Sequence, residues 1–375
     1  MKFLNNMDPK DFLKNYWAQK PHVFRNVIEE PQSLVNVDDL IQMSQDDNYE
    51  TRMISKDDQW RASNGPFNDS VFKDKSKNWT LIVHSLNLYF SQIKELESKV
   101  SFLPKWLFDD VMCTYSTKGS SVGAHIDNYS VFILQTSGRR KWSLQMNPND
   151  EYQDGIDVKI LKHFDADQEY ILEPGDMIYI PPKVAHWGES LTESVSLSIG
   201  FKSIEEKEII DMYALSLINQ EELHNDFYQA PVSKSQESHP FLVTDEVIDS
   251  VYNKMIKNIS QKDLFKKYFL KLLSSPKTVY EEDEITNEEF IENIELMPLY
   301  KDEYTRGAYY EQGQMNIFSV NTIEYVAPKD KSSSLINFID QLASDEISKD
   351  TIYEHVDFFI RLYNQGSLYF SEETI

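Results

Sequence analysis

Gly123-Ala124-His125-Ile126-Asp127-Asn128-Tyr129-Ser130-Val131-Phe132-Ile133-Leu134, answered far downstream by Pro181-Pro182-Lys183-Val184-Ala185-His186, decides how this chain reads. In a β-strand successive side chains alternate between faces, so His125 and Asp127 project to one side and Ile126 to the other. A second imidazole, His186 from a distant strand, completes a triangle if the sheet folds into a small barrel. Two imidazoles and one carboxylate on one face of an ion, with the opposite face open, are typical of non-haem iron(II) oxygenases. His-x-Asp alone arises often by chance, so the neighbouring segments must carry the argument.

Upstream, Asp110-Val111-Met112-Cys113-Thr114-Tyr115-Ser116 alternates as a strand does, and Lys118 to Gly123 follows as a loop with two glycines. Ser130 to Gln135 reads as a second strand. His125 and Asp127 therefore sit at a loop-to-strand entry, where a barrel mouth places its ligands. After Thr136-Ser137-Gly138, the run Arg139-Arg140-Lys141-Trp142-Ser143-Leu144 separates Arg140, Trp142 and Leu144 from Arg139, Lys141 and Ser143. One face thus carries a single cation among apolar groups. A buried guanidinium requires an anionic partner, and a dicarboxylate would supply one in bidentate geometry. Arg139 and Lys141 read as a solvated basic turn.

Glu173-Pro174-Gly175-Asp176 reads as a tight turn, Met177 to Ile180 as a short apolar strand, and the diproline as a rigid connection that delivers His186. Beyond it, Ser194 to Phe201 alternates strictly, with Val195, Leu197, Ile199 and Phe201 on one face. The other face holds only serines and a glycine. Such a face suits a polar cavity in which Ser196 donates to an anion, and a solvent-facing serine row has the same pattern.

Further stretches join these: Phe12-Leu13-Lys14-Asn15-Tyr16-Trp17 with Lys20-Pro21, Trp60, Gly65-Pro66-Phe67, Leu103-Pro104-Lys105-Trp106 and Asp109-Asp110. With Gly123, the His-Ile-Asp triplet, Tyr129, Val131-Phe132-Ile133, Gly138 to Trp142, the Glu-Pro-Gly-Asp turn and His186, the set resembles the JmjC-type ribosomal oxygenases over most of residues 9–202. It is most similar to the bacterial branch, which hydroxylates an arginine of large-subunit ribosomal protein L-sixteen. The resemblance implies an α+β fold built on a double-stranded β-helix, a jelly-roll barrel of cupin-like JmjC type. It implies iron(II) ligation by His125, Asp127 and His186, and binding of the cosubstrate 2-oxoglutarate by Arg140 and Thr114, with Ser196 as an outer contact. Arg140 lies fifteen positions after His125, where the wider group places its cosubstrate cation. The chain departs from the family at Gly119-Ser120-Ser121 and Ala124, where a glycine run and a proline are usual. Thr114 stands where a serine is common and Ser196 where an asparagine is common.

A chain of 375 residues exceeds what one hydrophobic core organises. The expected division is 1–202 as the JmjC-type barrel with N-terminal helical elements, 203–300 as a helical dimerisation region, and 301–375 as an acidic winged-helix domain. The dimer is implied by the resemblance. From Glu206 to Leu223 the pattern suits an amphipathic helix with Ile209, Ile210, Tyr213 and Leu217 near one stripe. After Tyr304 come short strands near Gly307 to Tyr310 and Met315 to Val320, helices from Ser333 to Leu342 and Lys349 to Tyr363, and a terminal strand at Gly366 to Phe370; that order suggests the winged helix.

The single cysteine, Cys113, forms no internal disulfide, which points to a reducing compartment and a packing role. No apolar run is long enough to span a bilayer and the N-terminus lacks a signal-peptide pattern, so a cytoplasmic protein is expected. Net charge is −25, and most of it lies late: residues 203–375 hold 15 Lys or Arg against 33 Asp or Glu, residues 1–202 hold 22 against 29. Phosphate neutralisation needs a basic surface, and the winged-helix segment lacks one. The lysines 262, 266, 267 and 271 read as a solvated helix face, followed by Glu281-Glu282-Asp283-Glu284. An acidic enzyme steers a basic polypeptide instead, and ribosomal proteins are basic.

The leading expectation is an iron(II) and 2-oxoglutarate dependent dioxygenase that hydroxylates an arginine side chain of a ribosomal protein. Histidine hydroxylation or methyl-lysine demethylation would use the same triad, and the motifs around Trp60 and Phe67 favour arginine. A cupin-type small-molecule enzyme and a winged-helix interaction protein with a barrel that has lost function are the remaining alternatives.

Overall fold

A computed structural model describes residues 3–219, 241–276, 278, 284–341, 343 and 345–371. Two compact units emerge, Met1–Ser203 and Ile204–Ile375.

The first unit is built from twelve strands: β1 (His22–Phe24), β2 (Thr51–Lys56), β3 (Trp60–Asn64), β4 (Trp79–Val83), β5 (Phe108–Ser116), β6 (His125–Ile126), β7 (Ser130–Ser137), β8 (Arg140–Gln145), β9 (Gln168–Leu172), β10 (Met177–Ile180), β11 (Ala185–Ser190) and β12 (Ser194–Phe201). They form an eight-stranded sheet in the order β1-β10-β7-β12-β5-β4-β2-β3 and a four-stranded sheet in the order β6-β11-β8-β9. All pairings are antiparallel. A core of Val131, Ile133, Ile178 and Ile180 from the large sheet and Trp142, Leu144 and Leu172 from the small one joins the two sheets face to face. This is the jelly-roll, cupin-like barrel that the resemblance implies.

Period-2 alternation sorts side chains between the barrel interior and an outer layer. Val111, Cys113, Tyr115, Phe132, Leu134, Met177, Tyr179, Val195, Leu197, Ile199 and Phe201 share the outer core with Phe12, Ile93 and Leu96. Phe12 comes from a helix at Pro9–Asn15, opened by the Asp8 cap and Pro9, and Ile93 and Leu96 from a helix at Ser91–Lys99. Phe12 is enclosed by the rings of Phe24, Phe102, Phe132 and Tyr179 at 5.0 to 6.1 Å. Because this layer covers the large sheet, β12 is buried on both faces. Its serine row therefore faces the barrel interior, which removes the solvent-facing reading.

In the second unit, helices run over Glu206–Ile218, Asp245–Ile259, Lys262–Leu273 and Asn287–Leu296. The first ends at Asn219, and residues 220–223 of its expected span lie outside the described residues. Tyr213 and Leu217 pack as expected, whereas Ile210 is 66% exposed and leaves the stripe. Strand β13 (Leu299–Lys301) pairs with the terminal strand, and β14 (Gly307–Gln312), β15 (Met315–Val320) and β16 (Ile323–Pro328) form a meander. A helix at Ser333–Asp340 follows; Leu342 is outside the described residues. The helix expected from Lys349 to Tyr363 is two, Lys349–Glu354 and Val356–Tyr363, before β17 (Leu368–Phe370). The break falls at His355, with φ −134° and ψ 35°. Its buried ring is held between the hydroxyls of Tyr325 and Ser334, contacts that a continuous helix propensity cannot register. Lys266 pairs with Asp263, and Lys267 and Lys271 both pair with Glu324, so the lysine face is compensated locally; residues 281–283 of the acidic run lie outside the described residues.

Candidate active site

Strand register builds the site. In the β6–β11 pair, His186 stands opposite His125, with ring centroids 4.2 Å apart. Asp127 follows the two-residue strand β6, and its Oδ2 lies 3.9 Å from His125 Nε2 and 3.5 Å from His186 Nε2. One ligand atom from each of the three residues lies within 4.8 Å of the others. Ligand atoms bound at about 2.0–2.2 Å to one ion sit roughly 3–4 Å apart, so the three residues fit a metal with little adjustment.

The imidazoles are oriented for that role. His125 Nδ1 is 3.0 Å from the Gly123 carbonyl and His186 Nδ1 is 3.1 Å from the Val184 carbonyl. Each Nδ1 donates to an oxygen that only accepts, which leaves the Nε2 lone pairs facing the site. Burial, reinforced by the neighbouring His125, pushes the His186 pKa down to about 4, so this ring is neutral at pH 7. The Lys183 N–H donates to the Asp127 carbonyl at 2.8 Å. Tyr129 hydrogen-bonds the Asp127 carboxylate, and burial together with that carboxylate raises the pKa of the phenol.

A cavity of about 480 Å³ opens beside the triad. Arg140 forms one pole of it. The guanidinium is 1% exposed and stacks on Trp142, its Cζ 5.1 Å from the ring centroid. It donates through Nη1 to Thr114 Oγ1 at 3.0 Å and Ser196 Oγ at 3.5 Å, and through Nη2 to the Gly188 carbonyl at 3.3 Å. Nε has no partner. Burial lowers its pKa to about 10, which leaves it charged at pH 7. Among the described residues no carboxylate lies within ion-pair distance of Arg140. Arg140, Thr114 and Ser196 are thus brought together as the sequence suggested, by the β5–β12 register that sets Thr114 opposite Ser196. The Ser196 proton is directed at Gln135 Oε1, 3.3 Å away, and it is Ser198, the next inward residue, that lines the cavity.

Another pole of the cavity has no role in the sequence reading. His84 and Tyr129 line it, with the buried Asp110 carboxylate 3.8 Å from His84 Nδ1. Met112 lies between this pole and Thr114 along the inner face of β5. The signal was period 2: Asp110, Met112 and Thr114 share one parity, and Asp109-Asp110 and Tyr129 belong to the set that carries the resemblance. The outer wall is apolar, where Val158 and Ile160 of the β8–β9 connection pack on Ile54 and Trp60 of the β2–β3 hairpin.

A jelly-roll barrel with a two-histidine, one-carboxylate cluster beside a buried arginine defines a JmjC-type oxygenase domain, and residues 95–209 match the family described as JmjC domain. The chain is 30% identical over 299 residues to the ribosomal protein uL16 3-hydroxylase of Escherichia coli strain K12, a match that spans 76% of this chain and 79% of that one. Its fold is shared with the X-ray structure of Escherichia coli YcfD, at TM-score 0.79 and 24% identity over 98% of this chain and 99% of that one. It is also shared with the ribosomal oxygenase YcfD in complex with cobalt and 2-oxoglutarate, at TM-score 0.76 and 24% identity over the same shares. The chain belongs to the JmjC-type ribosomal oxygenases, a family of iron(II) and 2-oxoglutarate dependent protein hydroxylases.

Proposed function

We propose that this protein hydroxylates an arginine side chain of a large-subunit ribosomal protein, with iron held by His125, Asp127 and His186 and 2-oxoglutarate anchored by Arg140. The observation that carries the reading is Arg140, a buried cation beside the triad without a carboxylate partner among the described residues. A buried charge in that state is costly, and the distal carboxylate of 2-oxoglutarate satisfies it in bidentate geometry. Thr114 holds one arm of the guanidinium and Ser196 backs it.

When bound, iron with 2-oxoglutarate and dioxygen supplies the oxidising power for hydroxylation of an unactivated carbon, and succinate and carbon dioxide leave. The chain's own residues do the rest. The two imidazoles are turned by their Nδ1 contacts so that Nε2 faces the site, and Tyr129 and the Lys183 N–H fix Asp127. Ile54, Ile82, Val158 and Ile160 keep the outer wall dry. The buried Asp110 carboxylate behind His84 gives the second pole of the cavity a negative backing for the guanidinium of a substrate arginine, with Met112 along its stem.

The acidic balance of the chain suits a basic partner in the cytoplasm, and no helix of the described residues is long and apolar enough to cross a membrane. A homodimer is part of the same reading. Ile248, Val251, Tyr252, Met255 and Ile259 form an exposed stripe along Asp245–Ile259, of the kind a second copy covers. The elements of residues 301–375 support a winged-helix module whose charge does not suit nucleic acid.

Mass spectrometry of ribosomes from cells with and without the gene tests the proposal. A +16 shift on an arginine-containing peptide, present only with the gene and reproduced with iron, 2-oxoglutarate and purified protein, is expected. Absence of any such shift, with no 2-oxoglutarate consumed, overturns it.

A further inference from the structure

Arg140 is held in place by a neighbour with no side chain. Gly188 lies on β11 directly opposite Trp142 of β8, two residues after the triad histidine His186. Its carbonyl accepts from Arg140 Nη2 at 3.3 Å. A methyl group placed on its α-carbon would lie 2.8 Å from Arg140 Nε and 2.8 and 2.9 Å from two carbons of the Trp142 ring. Ordinary contacts between such atoms are about 3.5–4.0 Å, so a side chain here displaces the guanidinium by roughly 1 Å. The backbone does not demand glycine at this position, since Gly188 is absent from the positive-φ residues. The space above its α-carbon is what requires it.

We propose that Gly188 is a positioning residue for the cosubstrate: its bare α-carbon and its carbonyl together form the seat that aims the Arg140 guanidinium at the distal carboxylate of 2-oxoglutarate. The inference rests on the proposed function and adds to it a specificity determinant outside the residues that touch the ligand. The seat acts through the fork. Guanidinium recognition of a carboxylate depends on two parallel N–H bonds, and a displaced or tilted fork loses one of them while the charge remains.

Gly188→Ala tests this by binding rather than turnover. Manganese(II) replaces iron, and 2-oxoglutarate is titrated calorimetrically into the loaded wild type and variant. Loss of one charge-assisted hydrogen bond predicts a 2-oxoglutarate affinity about ten- to hundredfold weaker, with manganese affinity unchanged. The same substitution is then made in Arg140→Ala, which has no side-chain atom beyond Cβ to meet the new methyl. There the further loss should be less than about twofold, because the two effects share one cause. An equal loss in both backgrounds would assign Gly188 to general packing and overturn the inference, as would unchanged affinity in the single variant. Should Gly188→Ala fail to fold, the comparison is made in Trp142→Phe, which removes the ring carbons and leaves the conflict with Arg140. Wild type that takes up manganese and not 2-oxoglutarate would overturn the proposed function and this inference with it, whereas equal binding by wild type and variant overturns this inference alone.

Discussion

Replacing Arg140 by methionine should separate two quantities that usually fall together, the stability of the ligand-free barrel and its grip on 2-oxoglutarate. The guanidinium is buried, and its internal partners are a hydroxyl at 3.0 Å, a hydroxyl at 3.5 Å and a carbonyl at 3.3 Å, none of them charged. Methionine of similar length would fill the slot against Trp142, so the desolvation penalty of an isolated charge disappears. Exchanging a buried ionic group for a packed apolar one is often neutral or stabilising by about 1–4 kcal/mol. Against this, the Thr114 hydroxyl and the Gly188 carbonyl lose a partner, at about 1 kcal/mol each. The ligand-free variant is therefore expected between about 1 kcal/mol less stable and about 2 kcal/mol more stable, and each kcal/mol moves the melting temperature of a unit this size by about 2–4 °C. The cosubstrate side has the opposite sign. Two charge-assisted hydrogen bonds to one carboxylate, at about 1.5–3 kcal/mol each, correspond to a 2-oxoglutarate affinity lower by about 10²–10⁴-fold. Thermal denaturation with and without 2-oxoglutarate, on manganese-loaded protein, reads both at once. A variant that melts several degrees lower without ligand and keeps its ligand-induced shift would refute the reasoning, since Arg140 would then be a structural cation.

Asp127→Ala should abolish turnover and lower metal affinity by at least about a hundredfold while circular dichroism stays unchanged; wild-type activity in this variant would refute the metal assignment. In chelator-stripped protein, the depressed His186 pKa of about 4 makes the unfolded chain the better proton acceptor between that value and its ordinary 6.5. Stability is then fully present above pH 6.5 and declines as pH falls toward 4, by up to about 3 kcal/mol in urea titrations, a slope that His186→Gln should flatten. Lys301 is buried in the second unit, and its ammonium donates to the carbonyls of Phe338, Ile339 and Gln341 at the end of the helix Ser333–Asp340. Lys301→Met should cost about 2–3 kcal/mol there and leave manganese binding untouched, as fluorescence-monitored denaturation and calorimetry would measure.

The parts of the barrel that can be read from the chain are those where two-residue periodicity meets a buried layer on each side. β5, β7 and β12 lie where the alternation of Asp110 to Ser116, Ser130 to Gln135 and Ser194 to Phe201 places them. β6 is harder, because it has only two residues and Asp127 lies beyond it; the same-side argument still holds, since Asp127 Oδ2 lies 3.9 Å from His125 Nε2 and 3.5 Å from His186 Nε2. Arg140 and its parity could be singled out, but which hydroxyls meet it depends on the β5–β12 and β8–β11 pairings, and Gly188 acquires meaning only once β11 lies against β8. Asp110 and His84 were passed over for the same reason. In the second unit local propensity misled more than once. It extended one helix through His355, whose ring contacts from Tyr325 and Ser334 are distant in sequence, and it left β13 and β16 unread as strands.

The imidazole anchors at the metal cluster are main-chain oxygens, those of Gly123 and Val184, and Asp127 is tied through the amide of Lys183. In many metal centres that supporting layer is carboxylates, and a single codon change can erase it. Here an exchange at Lys183 or Val184 leaves the anchoring atom in place, so drift can erode the grip on the ion through the ligands, through the Tyr129 hydroxyl on Asp127, or by changing the path of the loop. Lys183 holds a left-handed conformation, φ 65°, between Pro182 and Val184. Insertion or deletion within 181–184 is thus the lesion to which this centre is most vulnerable, and the place where an engineer would begin to loosen it.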